Sequence, residues 1–525
     1  MRNIYVLFFC LGASILGFGQ TLVTVTEGTS LVVSSGSTFT NSNLVLKSIS
    51  NSYSNLILDG TLGTTPADVN YDRYVNVVGS DETGGNDIVS MPVYNTGDDF
   101  DDLLTFGETL NDNAAALASN PSDPTEYAFG PYDNSISPAW YVNYSSGTGA
   151  ALNVGKGYRA ATNTGETIRF SGAVTTGPVS VPISVVNTTW NSVGNPYPSY
   201  IDAQLFLDAN IDAIAANSTL NPNSANIWSY TDGTASGSGI VGNFQIINKL
   251  LNTNINIAPG QGFLVSDNDL NNNDLTFTTA MRTTSGTDDF ILGRSTNVNQ
   301  NFRLIVDNGN ANFPTEIYFV ENLTRGLDVG YDAELFSNLN SGNLVLYTRL
   351  VEESTGQNMV IQALPDSDVD DVTIPLGLKA SQGQQVTFSI ESSTLPEEVE
   401  VYLEDNLTNT FTLLNDGDYS FTPTQNINGT GRFFLNVGSA ALNTIDSEVS
   451  KLEIYSKEKT IYVNGQLLGD TVLDVYDIQG RLVMSQKLNR QDLNNKVDAS
   501  SLSTNIYVVQ ITNPKQETTK KLIIK

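Results

Sequence analysis

Short runs in which apolar and polar residues alternate recur along almost the whole chain, whereas long helical periodicity is nearly absent. Clusters of Ser, Gly, Asn and Thr separate these runs at intervals that suit one strand and one turn. Alternation with a period of two is typical of a strand that has one buried face. At 525 residues the chain is also too long for one ordinary core. The pattern therefore predicts an all-β, multi-domain protein.

Residues 20–66 contain brief apolar runs around Val23, Val32, Val45 and Ile57, each followed by small polar residues. This spacing predicts a short, strand-rich segment. The pattern leaves open whether its strands are the coils of a β-helix or one edge of a sandwich.

Residues 67–290 continue the strand pattern with more aromatic residues and longer loops, and we interpret them as one large β-rich module. Strands are predicted at 167–170 and at 262–265, where glycines supply the turns. The exception is 201–216, where a helix is predicted with one apolar face formed by Ile201, Leu205, Leu207, Ile211 and Ile214.

Residues 291–440 are predicted to form a β-sandwich, because apolar residues alternate with polar ones in successive runs: Val386, Phe388 and Ile390, then Val399, Val401 and Leu403. A tight hairpin is predicted to pair 411–413 with 419–421 across Asp416-Gly417, since an Asp-Gly pair accommodates positive φ angles.

The charge changes sign near residue 450. The whole chain has a formal charge of −31, yet residues 451–525 carry 11 Lys and Arg against 8 Asp and Glu, a net of +3. Residues 441–450 are small and polar. We therefore predict a linker over 441–450 and a separate C-terminal domain over 451–525. A field as negative as that of the remainder repels nucleic acid, so no nucleic-acid partner is expected.

The first 19 residues are interpreted as a secretory signal peptide. Arg2 supplies the positive charge, 4–16 the apolar stretch and 17–19 a small-x-small cleavage site. The apolar run is shorter than the ~20 residues that a spanning helix needs. Phe8 and Phe9 before Cys10 disfavour lipid attachment at that cysteine. No transmembrane segment is therefore expected in the mature chain.

Cys10 is the only cysteine, and there is no histidine. Disulfide bonds, Ser-His-Asp and Cys-His catalysis and ordinary zinc sites are thereby excluded. A hydrolase that uses only carboxylates stays open, because the 56 acidic residues have no spacing that singles out a pair. We expect no enzymatic activity and no catalytic residues.

Asp267, Asp269 and Asp274 form a candidate calcium site, because carboxylate and amide oxygens in one loop suit a hard cation. Their spacing is not that of an EF-hand, and we favour a solvated loop without a cofactor. The acidic run at 98–102 is a weaker calcium candidate.

Three tryptophans, Trp140, Trp190 and Trp228, could offer stacking surfaces for sugars, although core packing is the commoner use of a tryptophan. The stretch 194–199 could be a ligand loop with Tyr197 at its tip. We favour a rigid corner there, because proline presets φ and glycine permits the bend.

The C-terminal 75 residues contain VYDIQGRLV at 475–483, IYVVQI at 506–511 and TTKKLIIK at 518–525. In this order the motifs resemble the type A C-terminal sorting domain of type IX secretion cargo in Bacteroidetes. The resemblance implies a small immunoglobulin-like sandwich, a partnership with the type IX secretion machinery and delivery to the cell surface or the medium. The residues that carry it are Tyr476, Asp477, Gly480, Arg481, Tyr507, Lys520, Lys521 and Lys525. Asn505 stands where that family usually has glycine, and we expect the asparagine to adopt a left-handed backbone there.

The middle of the chain resembles the repeating body of secreted, adhesin-like proteins of flavobacteria. The resemblance rests on YDRY at 71–74, VSMPV at 89–93, GKGY at 155–158, VGNPYPS at 193–199 and APGQGF at 258–263. It implies a non-enzymatic adhesin-like or structural protein whose partner is a surface glycan or protein. The alternatives are a carbohydrate-binding extracellular protein and a carboxylate-dependent polysaccharide hydrolase.

Overall fold

The computed structural model describes residues 22–40, 43–63, 69–78, 87–109, 112–212, 217–230, 244–250, 255–268, 274–286, 299–336, 343–439, 452–514 and 516–525. The predicted signal peptide (1–19) and linker (441–450) lie outside these residues.

The N-terminal segment is a stack of short strands: β1 (Val23–Val25), β2 (Ser30–Val33), β3 (Thr38–Phe39), β4 (Leu44–Leu46), β5 (Ser48–Ile49), β6 (Ser52–Tyr53), β7 (Asn55–Leu58), β8 (Thr61–Leu62) and β9 (Val69–Val75). Strands β1, β4 and β9 pair in parallel, and so do β2 with β7 and β3 with β8. Val23 thus lies beside Leu44, and Leu44 beside Val69. Parallel stacking of successive turns of chain is the arrangement of β-helix coils, whereas hairpin-connected sandwich strands pair antiparallel.

The central module follows with β10 (Asp87–Val89), α1 (Phe100–Thr105), α2 (Asp112–Ala116), β11 (Ser119–Asn120), β12 (Asp123–Tyr127), β13 (Phe129–Asp133), β14 (Trp140–Tyr141), β15 (Tyr144–Ser145), β16 (Tyr158–Ala160), β17 (Glu166–Gly172), β18 (Val179–Val181), β19 (Trp190–Gly194), β20 (Tyr200–Asp202), α3 (Ala203–Asn210), β21 (Ile227–Tyr230), β22 (Phe244–Ile247), β23 (Asn256–Ile257), β24 (Gly262–Ser266), β25 (Leu275–Phe277) and β26 (Arg282–Thr283), with 3₁₀ turns at Pro222–Ser224 and Thr279–Met281. Strand β17 pairs antiparallel with β9, so the N-terminal segment and the central module share a sheet. The strands predicted at 167–170 and 262–265 are confirmed as β17 and β24.

The helix predicted over 201–216 is shorter than expected. Its first residues form β20, α3 occupies Ala203–Asn210, and 213–216 lie outside the described residues. Asp202 begins the helix by accepting hydrogen bonds from the backbone N–H groups of Gln204 and Leu205. The predicted apolar face is also wrong at Leu205, which is exposed, because Phe206 and Leu207 occupy the buried side.

The sandwich (residues 300–439) contains β27 (Gln300–Asp307), β28 (Asn312–Val320), β29 (Ala333–Glu334), β30 (Val345–Thr348), β31 (Met359–Pro365), a 3₁₀ turn (Asp366–Val369), β32 (Asp371–Ala380), β33 (Val386–Ser393), β34 (Val399–Asp405), β35 (Thr410–Leu413), β36 (Tyr419–Phe421) and β37 (Ile427–Ser439). These strands belong to one sheet whose order runs from β35 through β34, β37, β32, β30, β31, β28, β27 and β33 to β36. The ring centroids of Phe388 on β33 and Phe433 on β37 lie 5.0 Å apart. The sheet therefore curls over until its two ends face one another across a common core.

The predicted hairpin between 411–413 and 419–421 is wrong. Strand β35 pairs with β34 and strand β36 with β33, at opposite ends of the sheet. The connection crosses from one end to the other, and Gly417 does not adopt a positive φ. The Asn415 side chain fixes this crossing, because it accepts from Val401 N–H at 2.7 Å and donates to the Val399 carbonyl at 2.9 Å.

The C-terminal domain is a two-sheet sandwich built from β38 (Glu453–Lys457), β39 (Thr460–Asn464), β40 (Val472–Tyr476), β41 (Leu482–Lys487), β42 (Asn494–Asp498), β43 (Asn505–Asn513) and β44 (Gln516–Ile524). One sheet has the order β38-β39-β42 and the other β41-β40-β43-β44. Ile461, Val475 and Val509 are fully buried between them. The all-β, multi-domain fold expected from the sequence is confirmed.

Candidate functional site

The first part of the sorting motif is a tight turn between β40 and β41. The Asp477 carboxylate accepts hydrogen bonds from the backbone N–H groups of Gln479 and Arg481, at 3.0 Å each, and Arg481 Nε lies 3.1 Å from Asp477 Oδ2. The hydrogen bond from Arg481 N–H is the main reason why the pKa of Asp477 is lowered. Gly480 has φ +78, a left-handed value that favours glycine. The motif residues at this turn therefore fix its shape.

Three neighbouring strands bring two residues of the motif, Tyr476 and Lys521, onto one face of the sheet. Tyr476 on β40 pairs with Val508 on β43, which pairs with Lys521 on β44. Directly paired residues present their side chains on the same face of a sheet. Tyr476 and Lys521 are therefore two strands apart, about 10 Å at ordinary strand spacing. Exposed Ile523 follows on the same face of β44. We call this surface the outer face of the sorting domain.

Tyr507 lies inside the sorting domain instead. It is buried, and its hydroxyl donates to the Ser503 carbonyl at 2.9 Å. Asn505 begins β43 and has no positive φ, so the left-handed backbone expected there is wrong. Its paired, extended conformation imposes no need for glycine, which explains why asparagine is accommodated.

Lys520 connects the sorting domain to the preceding sandwich. Its ammonium donates to the Val351 carbonyl at 2.8 Å. Burial at this junction lowers the pKa of Lys520. Lys520, Lys521 and Lys525 all line a cleft of about 600 Å³ that opens between the last strand and the loop at 352–357. The three lysines of the motif thus belong to one surface region, with Lys520 on the side of the sandwich.

A buried ion pair also joins the sandwich to the sorting domain. Arg349 Nε of the sandwich is 3.4 Å from Glu453 Oε1 of the sorting domain, and both residues are buried. The Arg349 guanidinium also lies over the rings of Tyr347 and Tyr455, at 5.2 and 5.5 Å from their centroids. Asn464 donates to Glu453 Oε2 at 2.8 Å. These contacts hold the two domains against each other.

The tryptophans differ in their surroundings. Trp190 and Trp228 are 4% and 2% exposed and belong to the core, whereas Trp140 on β14 is 45% exposed. Stacking on a sugar is therefore open to Trp140 and closed to the other two in this conformation.

The stretch 194–199 is a buried corner. The Asn195 amide donates to the carbonyls of Ser199 (2.7 Å) and Ala258 (3.0 Å), and its oxygen accepts from Tyr197 N–H (3.0 Å). Tyr197 is fully buried and its hydroxyl donates to the Phe277 carbonyl at 3.0 Å. The preferred interpretation as a rigid corner agrees with this geometry, and Tyr197 is not the tip of a ligand loop.

The calcium candidates are not gathered into one cluster. Asp267 is buried, Asp274 is exposed and accepts from Ser180 Oγ at 2.9 Å, and Asp269 lies outside the described residues. Within the described ranges no three His, Cys, Asp or Glu residues are grouped as a metal ion would require.

The acidic run at 98–102 is engaged by the protein itself. Asp99 caps α1, and Asp101 accepts from the backbone N–H groups of Gly147 and Gly149 at 2.6 and 2.9 Å. The oxygens of these carboxylates already accept hydrogen bonds from the protein. They are therefore less available as ligands for a cation than the acidic composition of the stretch indicates.

The fold and the C-terminal module together define an exported all-β protein that carries its own secretion signal. The family model for the secretion system C-terminal sorting domain matches residues 455–525. A second family model, described as a domain of unknown function (DUF8693), matches residues 111–436. This match covers more than half of the chain, and the chain belongs to that family.

The chain is therefore cargo of the type IX secretion machinery, and it is destined for the cell surface or the medium. No curated protein matches it. Of the helices that the structure describes, none is both long and apolar enough to cross a membrane.

Sequence reasoning missed the junction residues Arg349, Val351 and Glu453. Arg349 and Glu453 meet across two domains and about a hundred positions of sequence. No local spacing signals such a pair. One local signal was present: Glu453 is a charged residue between apolar residues at the beginning of β38, which indicates a carboxylate with a buried partner.

Proposed function

We propose that the exported body of the chain (residues 22–439) is a non-enzymatic, adhesin-like or structural protein. The observation that carries the proposal is that the central module and the sandwich share one hydrophobic core. The ring centroid of Trp190 in the central module lies 4.7 Å from that of Phe336 in the sandwich, and Trp228 packs against the same phenylalanine at 6.0 Å. A core that continues across modules disfavours hinge motion and suits a rigid body that presents a fixed surface.

Cell attachment tests this proposal. A strain that exports the chain is compared with a strain that lacks it, and the purified chain is coated on beads. We expect the strain that lacks the chain to attach less to surfaces or cells. We also expect beads coated with the chain to attach where uncoated beads do not. Unchanged attachment in both assays would contradict an adhesive role. Turnover of a polysaccharide by the purified chain would favour the carboxylate-dependent hydrolase instead.

The exposure of Trp140 favours carbohydrate binding as a second candidate function. Stacking of a sugar on an aromatic ring needs an accessible face. Trp140→Ala is expected to abolish glycan-array binding. Leu205→Ala is the matched control, because Leu205 is also exposed and belongs to the same module. Equal loss of binding in both variants would remove the support for a stacking role.

Calcium binding at Asp267, Asp269 and Asp274 stays a proposal that rests on the oxygen-rich loop. If the loop holds an ion, adding a chelator lowers the melting temperature, because a bound ion stabilises the folded state by mass action, whereas the solvated loop that we favour predicts no change. An unchanged melting temperature would end the proposal.

A further inference from the structure

A polar cleft of about 360 Å³ lies in the central module, between the end of β13, the turn before β16 and the strands β18 and β19. Its size is that of a small-molecule site, which typically measures about 300–1,000 Å³. Asn134 and Asn191 line it, and both amides donate to the Ser184 carbonyl, at 2.7 and 3.0 Å. These bonds hold the wall in place before any ligand arrives, which lowers the cost of binding.

Lys156 lines the same cleft and is its one basic side chain. Within the described residues its ammonium has neither a hydrogen bond nor an ion pair, in contrast to Lys47, Lys249 and Lys520. Partial burial lowers the pKa of Lys156, and the charge of Asp133 opposes that shift without forming an ion pair. A partly desolvated ammonium that lacks an acceptor gains most from an anion.

Two carboxylates near the cleft, Asp133 and Asp274, already have other partners. Asp133 Oδ1 accepts from Ser135 Oγ at 2.6 Å, and Asp274 Oδ2 accepts from Ser180 Oγ at 2.9 Å. Neither carboxylate forms an ion pair with Lys156, so the ammonium stays available to a ligand.

The rest of the cleft suits a polyhydroxylated ligand. Hydroxyl and amide side chains from Asn134, Ser180, Ser184 and Ser192 surround the lysine. The Tyr141 hydroxyl donates to Ser192 Oγ at 3.0 Å, and the exposed ring of Trp140 lies 6.3 Å from the Tyr141 ring. The amides and hydroxyls that line the cleft offer a sugar hydrogen-bond partners.

We propose that this cleft binds a saccharide residue that carries a single carboxylate, with Lys156 as the residue that recognises the acid group. The overall charge of −31 repels densely charged polyanions, which favours a ligand with few charges. This inference rests on the proposed adhesive role and gives it a ligand class.

The test is calorimetric titration of the purified full chain with trisaccharides that carry one residue of glucuronate, galacturonate or mannuronate. Each is compared with its neutral counterpart, in which a hydroxymethyl group replaces the carboxylate. We expect at least one acidic sugar to bind about tenfold or more tightly than its counterpart, since a charge-assisted hydrogen bond is worth about that much. Equal affinities within each pair, or no binding of any acid, would overturn the proposal.

Variants assign the effect to Lys156. Lys156→Met keeps the aliphatic stem and is expected to lower the affinity about tenfold or more, whereas Lys156→Arg retains the charge and most of the binding. Lys487→Met, at an exposed lysine of the sorting domain, is the matched control and should bind like the unaltered chain. Unaltered binding by Lys156→Met, checked to be folded by circular dichroism, would contradict the assignment.

The outcome is separable from that of the attachment assay. Acid-selective binding without any role in attachment would contradict the adhesive function and leave the cleft intact. Attachment by the unaltered chain, together with no binding of any acidic sugar by that chain, would contradict the cleft and leave the adhesive function intact.

Discussion

The side chains of Arg349 and Glu453 form an ion pair that joins the sandwich to the sorting domain. Their ion pair is buried, so bulk water screens the two charges little. Asn464 and Thr430 hold the second oxygen of Glu453. Removal of one charge leaves the other buried and uncompensated, which costs more than the pair itself is worth.

Glu453→Gln and Arg349→Met are each expected to destabilise the transition that involves the sorting domain by about 3 kcal/mol. The double variant should lose clearly less than the sum, because it leaves no orphaned charge. Urea unfolding of the full chain measures all three. Arg303→Met is the control: its ion pair with Glu391 is more than a third exposed, and we expect a loss below about 1 kcal/mol. Strict additivity in the double variant would contradict a direct coupling.

Asp332 makes stability depend on pH. It is fully buried, and burial raises the pKa of its carboxyl to about 8. In the unfolded chain the pKa is about 3.9, so between these values the folded state holds a proton that the unfolded state has lost. The contribution of Asp332 to the free energy of unfolding should therefore be greatest below about pH 4 and should fall as the pH rises towards 8. Burial also raises the pKa of neighbouring Asp328, which acts in the same direction.

Urea unfolding at pH 5 and pH 8 tests this dependence. The unaltered chain should be less stable at pH 8, and Asp332→Asn should reduce the difference while losing some stability at pH 5. That loss is expected because an amide nitrogen cannot accept the N–H of Asp328 or Ala363. Asp123→Asn is the control, since its carboxyl is exposed and hydrogen bonds from Thr125 lower its pKa to below the tested range. If the free energy of unfolding changes between pH 5 and pH 8 by the same amount in Asp332→Asn as in the unaltered chain, Asp332 is not the source of the pH dependence.

At the scale of elements, alternation predicted the strands well and their partners poorly. The alternating runs at 386–390 and 399–403 are β33 and β34, with the expected residues inward. The Asp-Gly pair at 416–417 indicated a hairpin, yet its flanking strands pair elsewhere. Alternation is a local property that one strand carries alone. Partner choice depends on which distant strands bury the same core, and that information is spread over the chain.

The corner at 194–199 gives a prediction at this scale. Asn195→Ala removes a buried side chain that donates to three carbonyls and accepts from Tyr197 N–H. We expect a loss of about 2–4 kcal/mol, since backbone groups of the corner are then buried without partners. Urea unfolding of the full chain gives the value. Asn143→Ala, which removes exposed hydrogen bonds with Glu126 and Arg159, should cost below about 1 kcal/mol. A similar small loss at Asn195 would argue against the corner as a structural support.

At the scale of the whole molecule, the sequence located the sorting domain but not its attachment. The change of charge near 450 and the order of the C-terminal motifs predicted the domain that the family match and the fold confirm. The motifs did not distinguish Lys520, which contacts the sandwich, from Lys521, which lies on the outer face, although both line the same cleft. The cleft around Lys156 was equally hidden, because its walls come from strands far apart in sequence.

We predict that the C-terminal domain alone directs export through the type IX machinery. Residues 441–525 are fused to a fluorescent reporter behind a signal peptide and expressed in a type IX-competent host. A matched fusion ends at residue 515 and lacks β44, which contributes Leu522 and Ile524 to the domain core. We expect the reporter to lie outside the outer membrane when it carries the complete domain and inside the cell envelope when it carries the truncated one. Retention of the complete fusion in the periplasm would contradict it.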